Sequence, residues 1–161
     1  MAVDIFLKID DIKGESADKT HKDEIEILTW SWGLSQSGTS HSGAGAGAGK
    51  VNVQDISITK FIDKSSPNLM KSCANGKPYA NALLTVRKAG ANPLEYIKLK
   101  LYDVIVSSIS TSGSGADDRQ TESVALNFAK YEYTYTPQTA TGAGGAGVTV
   151  TWNIPANHEA L

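Results

Sequence analysis

Glu24-Ile25-Glu26-Ile27-Leu28-Thr29-Trp30-Ser31-Trp32-Gly33-Leu34-Ser35 is the stretch on which the fold turns. Successive side chains of a strand point to opposite faces. Ile25 and Ile27 fall on the odd face, whereas Leu28, Trp30, Trp32 and Leu34 fall on the even one. A strand with one buried face does not switch in this way. Two readings remain. A bulge near Ile27 and Leu28 re-aims the strand, or the two faces are covered in turn. In a small antiparallel protein the second reading needs another layer or a neighbouring subunit.

The same switch recurs further along the chain. Residues 51–62 pass from Val51 and Val53 to Ile56, Ile58 and Ile62. Residues 122–136 pass from Val124, Leu126 and Phe128 to Tyr131, Tyr133 and Tyr135. Simpler alternation marks Val3, Ile5, Leu7 and Ile9, then Ala82, Leu84 and Val86, and finally Val148, Val150, Trp152 and Ile154. Residues 94–110 carry Ile97, Leu99, Leu101 and Ile105 on one side. Tyr96, Lys98, Lys100, Tyr102, Val104 and Val106 lie on the other.

Residues 64–76 read as the one helix. Ser65 or Ser66 is the N-cap, Pro67 suits the first turn and Gly76 suits the residue past the end. Leu69, Met70, Cys73 and Ala74 form its apolar stripe, and its shortness requires it to pack on the sheet. Gly-rich loops fall at 35–50, 111–118 and 141–147. About seven strands and one helix make an all-β barrel or sandwich. A single core accounts for one face of each long strand. The other faces need bulges or neighbouring copies, because large apolar patches on soluble proteins mark interfaces.

The 161 residues are expected to form a single domain, 1–161, that buries roughly 70% of its unfolded surface. Hydrophobic content of 40% and charged content of 20% describe a soluble globular chain. A net charge of −2, with no block of Lys or Arg, argues against nucleic acid as a partner. No apolar run approaches the roughly 18 residues of a transmembrane helix, so no membrane insertion is expected. The N-terminus lacks a basic n-region, and Lys8 interrupts its apolar stretch, so it does not read as a signal peptide. The expectation is synthesis and folding in the cytoplasm, with any exit by a dedicated route. The single cysteine, Cys73, makes no internal disulfide and fits a reducing compartment.

Chemistry is sparse. The run before Lys50 fails as a phosphate loop, because Ala44 stands where the first Gly is needed and Val51 follows the Lys. His21, His41 and His158 have no Cys, Asp, Glu or His partner at metal-ligand spacing and read as solvated, so no metal and no cofactor is expected. Cys73 on the helix stripe reads as a buried structural thiol. The pairs Asp10-Asp11 and Asp117-Asp118 lack the calcium-loop pattern. Tyr131, Tyr133 and Tyr135 read as core or interface aromatics before they read as a sugar-stacking platform. No set of acid, base and nucleophile emerges, so the chain is not expected to be an enzyme.

Several segments together carry a resemblance. They are residues 3–9 from Val3 to Ile9, Ile12-Lys13-Gly14-Glu15-Ser16, Trp30-Ser31-Trp32-Gly33 and Val51-Asn52-Val53-Gln54-Asp55. Asp63-Lys64-Ser65-Ser66-Pro67-Asn68-Leu69, Arg87-Lys88-Ala89-Gly90, Val106-Ser107-Ser108 and Leu126-Asn127-Phe128 complete them. Over essentially its whole length the chain resembles the haemolysin-coregulated protein family, which forms the tube of bacterial type VI secretion. Loops 38–49 and 139–147 depart most, keeping composition but not residues.

The resemblance implies a small antiparallel β-barrel of two sheets with one short flanking α-helix. It implies homohexameric rings that stack head-to-tail into a hollow tube, with a spike protein at the tip and a contractile sheath around it. Effector proteins would ride in the lumen and be chaperoned there, and the subunit would be secreted with the tube. By position, Ser112, Gly113, Ser114 and Gly115 resemble the lumen-facing loop. Thr39, Ser40, His41, Ser42, Gly43, Gly45, Gly47, Gly49 and Lys50 resemble the loop that reaches a neighbouring ring. The competing class is a non-catalytic β-sandwich that binds a ligand such as a sugar through exposed Tyr and Trp. Since Leu161 follows the last strand closely, no fused enzyme domain is expected.

Overall fold

The computed structural model describes residues 3–38 and 49–161. The first strands in chain order are β1 (Val3–Ile9), β2 (Ile25–Glu26), β3 (Thr29–Ser31), β4 (Leu34–Ser35), β5 (Asn52–Val53) and β6 (Ile56–Phe61). The helix α1 (Ser66–Asn75) follows, then β7 (Tyr79–Lys88), β8 (Leu94–Ser112), β9 (Thr121–Asn127), β10 (Lys130–Tyr135) and β11 (Val148–Asn153). Nine strands make one antiparallel sheet in the order β2-β1-β7-β8-β9-β6-β3. β10 pairs with β8 and carries β11, and β4 and β5 form a separate ribbon. The all-β architecture with one helix is as expected.

The ring of strands is not closed by a continuous ladder. β2 and β3, which end the order, are the two halves of one segment. Ile27 donates its backbone N–H to the Ile5 carbonyl at 2.9 Å, and Leu28 donates to the Thr59 carbonyl at 2.8 Å. Consecutive residues therefore hold strands on opposite sides. Ile25 and Ile27 are buried, Leu28 is exposed, and Trp30 and Trp32 pack against the same core. One extra residue at this point re-aims the chain and moves the inward positions from odd to even, which is the bulge reading of the phase switch.

The other long runs also bend where their patterns change. β8 pairs with β7 and β10 over its first half and with β9 over its second. Asp103 lies between the halves at φ 54. The buried positions move there from Leu99 and Leu101 to Val104 and Val106. The run read as one strand over 122–136 is two, β9 and β10, separated at Phe128 and Ala129. Likewise residues 51–62 divide into β5 and β6, and Ile62 is exposed.

The inward position after Ile56 and Ile58 is held by Lys60, which is fully buried. Lys60 stands opposite Glu122 in the β6–β9 register, and their side chains pair directly. Its ammonium also reaches Asp63 at 3.1 Å, the Ser66 hydroxyl at 3.1 Å and the Phe61 carbonyl at 3.0 Å. A buried charge persists only when paired and hydrogen-bonded in this way. The cluster ties the turn before α1 to the sheet. The helix ends as expected at Gly76, in the left-handed region at φ 67, where Gly carries no Cβ penalty. Its inward stripe differs from expectation. Ser66, Leu69 and Ser72 are buried, Cys73 is half-buried, and Met70 and Ala74 face outward. The reason is polar. Ser66 joins the Lys60 cluster and Ser72 meets the Tyr79 hydroxyl at 2.5 Å, so hydroxyls outcompete Met70 for the inward side.

Candidate functional site: strand-end loops and sheet faces

Ser112 ends β8, and Gly113, Ser114 and Gly115 open the exposed loop to β9. The loop is closed by its own polar groups. Asp117 N–H donates to the Ser114 carbonyl at 3.2 Å, and the Gln120 amide donates to the carbonyls of Ser114 and Asp117 at 3.1 Å each. Small residues leave the loop tip without bulk, while the Ser114 and Asp117 carbonyls are satisfied.

The second loop springs from the β4–β5 ribbon, paired Leu34 to Val53 and Ser35 to Asn52. Thr39, Ser40, His41, Ser42, Gly43, Gly45 and Gly47 lie outside the described residues. Gly49 and Lys50 are exposed, and the backbone of Gly49 returns close to Ser37. At the base of the ribbon, Trp32 donates its indole N–H to the Gln54 carbonyl at 3.0 Å. Asp55 accepts from Ser107 at 2.7 Å and from Asn127 at 2.8 Å.

The β4–β5 ribbon and the Ser112 loop are not brought together. Ile56 pairs with Leu126 and Phe61 with Thr121, while Val106 pairs with Leu126 and Ser112 with Thr121. The ribbon therefore adjoins one end of β6 and β9, and the Ser112 loop adjoins the other. Five residue steps at about 3.3 Å each separate these ends by roughly 17 Å along the strands.

A third surface had no single motif to announce it. Ile97, Tyr135 and Val148 stand opposite one another across β8, β10 and β11, as do Leu99, Tyr133 and Val150, and Leu101, Tyr131 and Trp152. Directly opposed residues share a face, so these nine line the inner side of the sheet. One end is covered. Leu99, Leu101 and Tyr131 are buried, Trp32 packs edge-on against Tyr131 at 4.8 Å, and burial pushes the Tyr131 phenol up. The other end is bare, with Val148 70% and Val150 52% exposed on β11, which among the described strands pairs only with β10. Tyr135 is exposed, but Tyr131 is committed to the core, so the three tyrosines do not form a flat stacking platform.

The outer side of the same sheet is finished by the chain itself. Residues 15–24 cross β1 and β7 as a strap, entered through Gly14, where a Cβ would collide with the Glu24 carbonyl. The strap buries Phe6 and Arg87. Arg87 pairs with Asp18 at 2.6 Å and Asp4 at 2.9 Å and lies over the Phe6 ring at 5.0 Å. Its guanidinium, with Thr20, holds the Asp18 carboxyl far below the usual carboxylate range, and the Arg87 pKa is raised in turn. His21, expected to be solvated, is buried and stacks on Phe6 at 4.4 Å. Its Nδ1 lies 2.7 Å from Glu24 and its Nε2 2.5 Å from Glu95. Burial works against the charge on Glu95, but hydrogen bonds from His21 and Lys98 outweigh it, and the carboxyl sits below its ordinary value. Glu95 is 74 residues away from His21 in sequence, so spacing gave no sign of the contact. Among the described residues, no group of three or more His, Cys, Asp or Glu side chains is arranged to hold a metal ion.

Comparison with known proteins gives a consistent result. A family described as "Type VI secretion system effector, Hcp" matches residues 6–135. Protein hcp1 of Pseudomonas aeruginosa is 67% identical over 133 residues, 82% of each chain. Among solved structures, one titled as a type six secretion system protein has a TM-score of 0.93 at 29% identity, covering 98% of this chain and 99% of that one. Hcp1 from Salmonella typhimurium has a TM-score of 0.83 at 43% identity, covering 99% and 100%.

Proposed function

The chain belongs to the Hcp family of type VI secretion proteins, and from that premise we propose how it works as a structural subunit of the secretion tube. Copies close into a homohexameric ring through heterologous contacts, and rings stack into a hollow tube. The observation that carries this reading is the bare end of the inner sheet face. Val148, Val150 and Tyr135 remain uncovered beside an edge strand, the kind of surface that a neighbouring copy completes. The role is non-catalytic, which fits a family of secretion components. The subunit leaves the cell through the type VI machine, in company with the spike, the sheath and lumenal effectors.

The two loops take separate tasks, which fits the separation of the β4–β5 ribbon and the Ser112 loop at opposite ends of β6 and β9. Loop 38–50 reaches the next ring. Ser112, Gly113, Ser114 and Gly115 face cargo, where small side chains leave room. Alanine replacement through 39–50 should leave rings intact and shorten or abolish stacked tubes in electron micrographs; unchanged tubes would remove the stacking role. Ser114→Gln should leave ring assembly unchanged and prevent co-purification of a small effector. Retention of the effector would mean that the loop does not touch cargo.

A further inference from the structure

Residues 15–24 are held onto the sheet by two different devices. One is the Arg87 pair with Asp18 and Asp4, charged at every pH near neutrality. The other is His21, and its geometry carries a protonation requirement. Both ring nitrogens stand at hydrogen-bond distance from a carboxylate oxygen, Nδ1 from Glu24 and Nε2 from Glu95. A neutral imidazole has one N–H and one lone pair. With one N–H it satisfies one carboxylate and turns its lone pair toward the other. Only a ring carrying both protons donates to both.

The surroundings leave little room for an alternative arrangement. His21 is buried against Phe6 of β1, with the Arg87 guanidinium of β7 over the same Phe6 ring. On its own loop, Asp18 accepts the His21 backbone N–H at 3.2 Å, and Asp23 is the neighbour of Glu24. On β8, Lys98 is paired with Glu95 at 3.2 Å from the solvent side. Asp4 of β1 is occupied by Arg87. Neither carboxylate that meets the imidazole is therefore replaced by a donor from another element.

We propose that His21 is a proton-dependent clasp that holds strap 15–24 closed over Phe6, and that losing its proton to alkaline solvent opens the strap. The closed strap holds a proton shared by His21, Glu24 and Glu95. The open strap places the ring in water, where histidine is neutral at alkaline pH. The closed form thus binds one proton more, so its ratio to the open form falls by up to about tenfold per pH unit. Acid conditions that leave Glu24 and Glu95 ionised favour closure.

The exposed Lys19 and Lys22 provide the readout, because trypsin cuts a folded loop only through its open form. Native full-length protein is digested between pH 6.5 and 9.5. Rates at Lys19 and Lys22 are divided by those of a free peptide with the sequence of residues 15–25. The expected result is a normalised rate that climbs at least tenfold across this range. Glu95→Gln separates the clasp from mere packing. Its amide donates to a neutral Nε2 while Nδ1–H still donates to Glu24, so the strap should stay closed and the pH dependence should vanish. His21→Gln should be cut rapidly at both ends of the range. A flat normalised rate in the native protein would overturn the proposal, as would an unchanged pH rise in Glu95→Gln.

Discussion

The two sides of one sheet are finished in opposite ways. Over β1 and β7 the outer side is sealed by the chain's own strap, which brings Arg87, Asp18, Asp4 and His21 into one network around Phe6. Over β10 and β11 the inner side is left open, with Val148 and Val150 of the edge strand β11 and Tyr135 of the adjoining β10 facing solvent. The first arrangement stabilises an isolated subunit. The second costs solubility in an isolated subunit and is repaid only by association. Residues of the strap serve folding and residues of the open face serve assembly, so substitutions on the two sides should differ in effect.

The largest effect belongs to the deepest covered charge. Glu122→Ala leaves the fully buried Lys60 ammonium without its principal partner and should destabilise the subunit by about 3–5 kcal/mol. Urea unfolding at a concentration where rings are dissociated measures it. Arg87→Ala comes next, at roughly 1–3 kcal/mol, because it removes buried hydrogen bonds while Asp4 and Asp18 retain access to water. If Arg87→Ala proved as costly as Glu122→Ala, the strap would belong to the core and not to its cover.

Acid should weaken the strapped side. Asp18 and Glu95 are both held below their ordinary values in the folded chain. Such groups contribute stability that is fully present above the ordinary carboxylate range and is lost as pH falls from that range down through their lowered values in the folded chain. The melting temperature should therefore drop from about pH 5 toward pH 2, and Asp18→Asn should flatten that slope. A slope unchanged in Asp18→Asn would remove the Arg87 pair from the account. On the open side, Val150→Asp should change subunit stability by no more than about 1 kcal/mol, since the position is half exposed on an edge strand. The same change should abolish rings. Loss of folding together with rings would erase the distinction between the two sides.

Much of this architecture was legible because apolar alternation is a direct record of burial. The inward sets Leu7 and Ile9, Ala82, Leu84 and Val86, and Val124 and Leu126 follow from a period of two. The phase switches at Ile27–Leu28 and after Phe128 reported real bends. The pattern failed where a polar side chain took an inward position. Lys60 is buried because Glu122 stands opposite it across the sheet, and Ser66 and Ser72 displace Met70 because each finds a hydroxyl or charged partner. Those partners are set by strand register, which no local spacing encodes. His21 was illegible for the same reason, its second carboxylate lying on β8. The Ser112–Gly115 and 39–50 loops carry no burial signal at all. Their assignment came from resemblance, and the structure adds only that the β4–β5 ribbon and the Ser112 loop lie at opposite strand ends.

If another copy of the same chain completes the open face, the assembly is visible in the untagged wild-type protein by light scattering on its size-exclusion peak, with negative-stain images of that peak. The expected particle is six times the 17.1 kDa chain, seen end-on as a six-membered ring with a central hole. A 17.1 kDa monomer persisting at high concentration, with Val148 and Val150 still exposed, would contradict it.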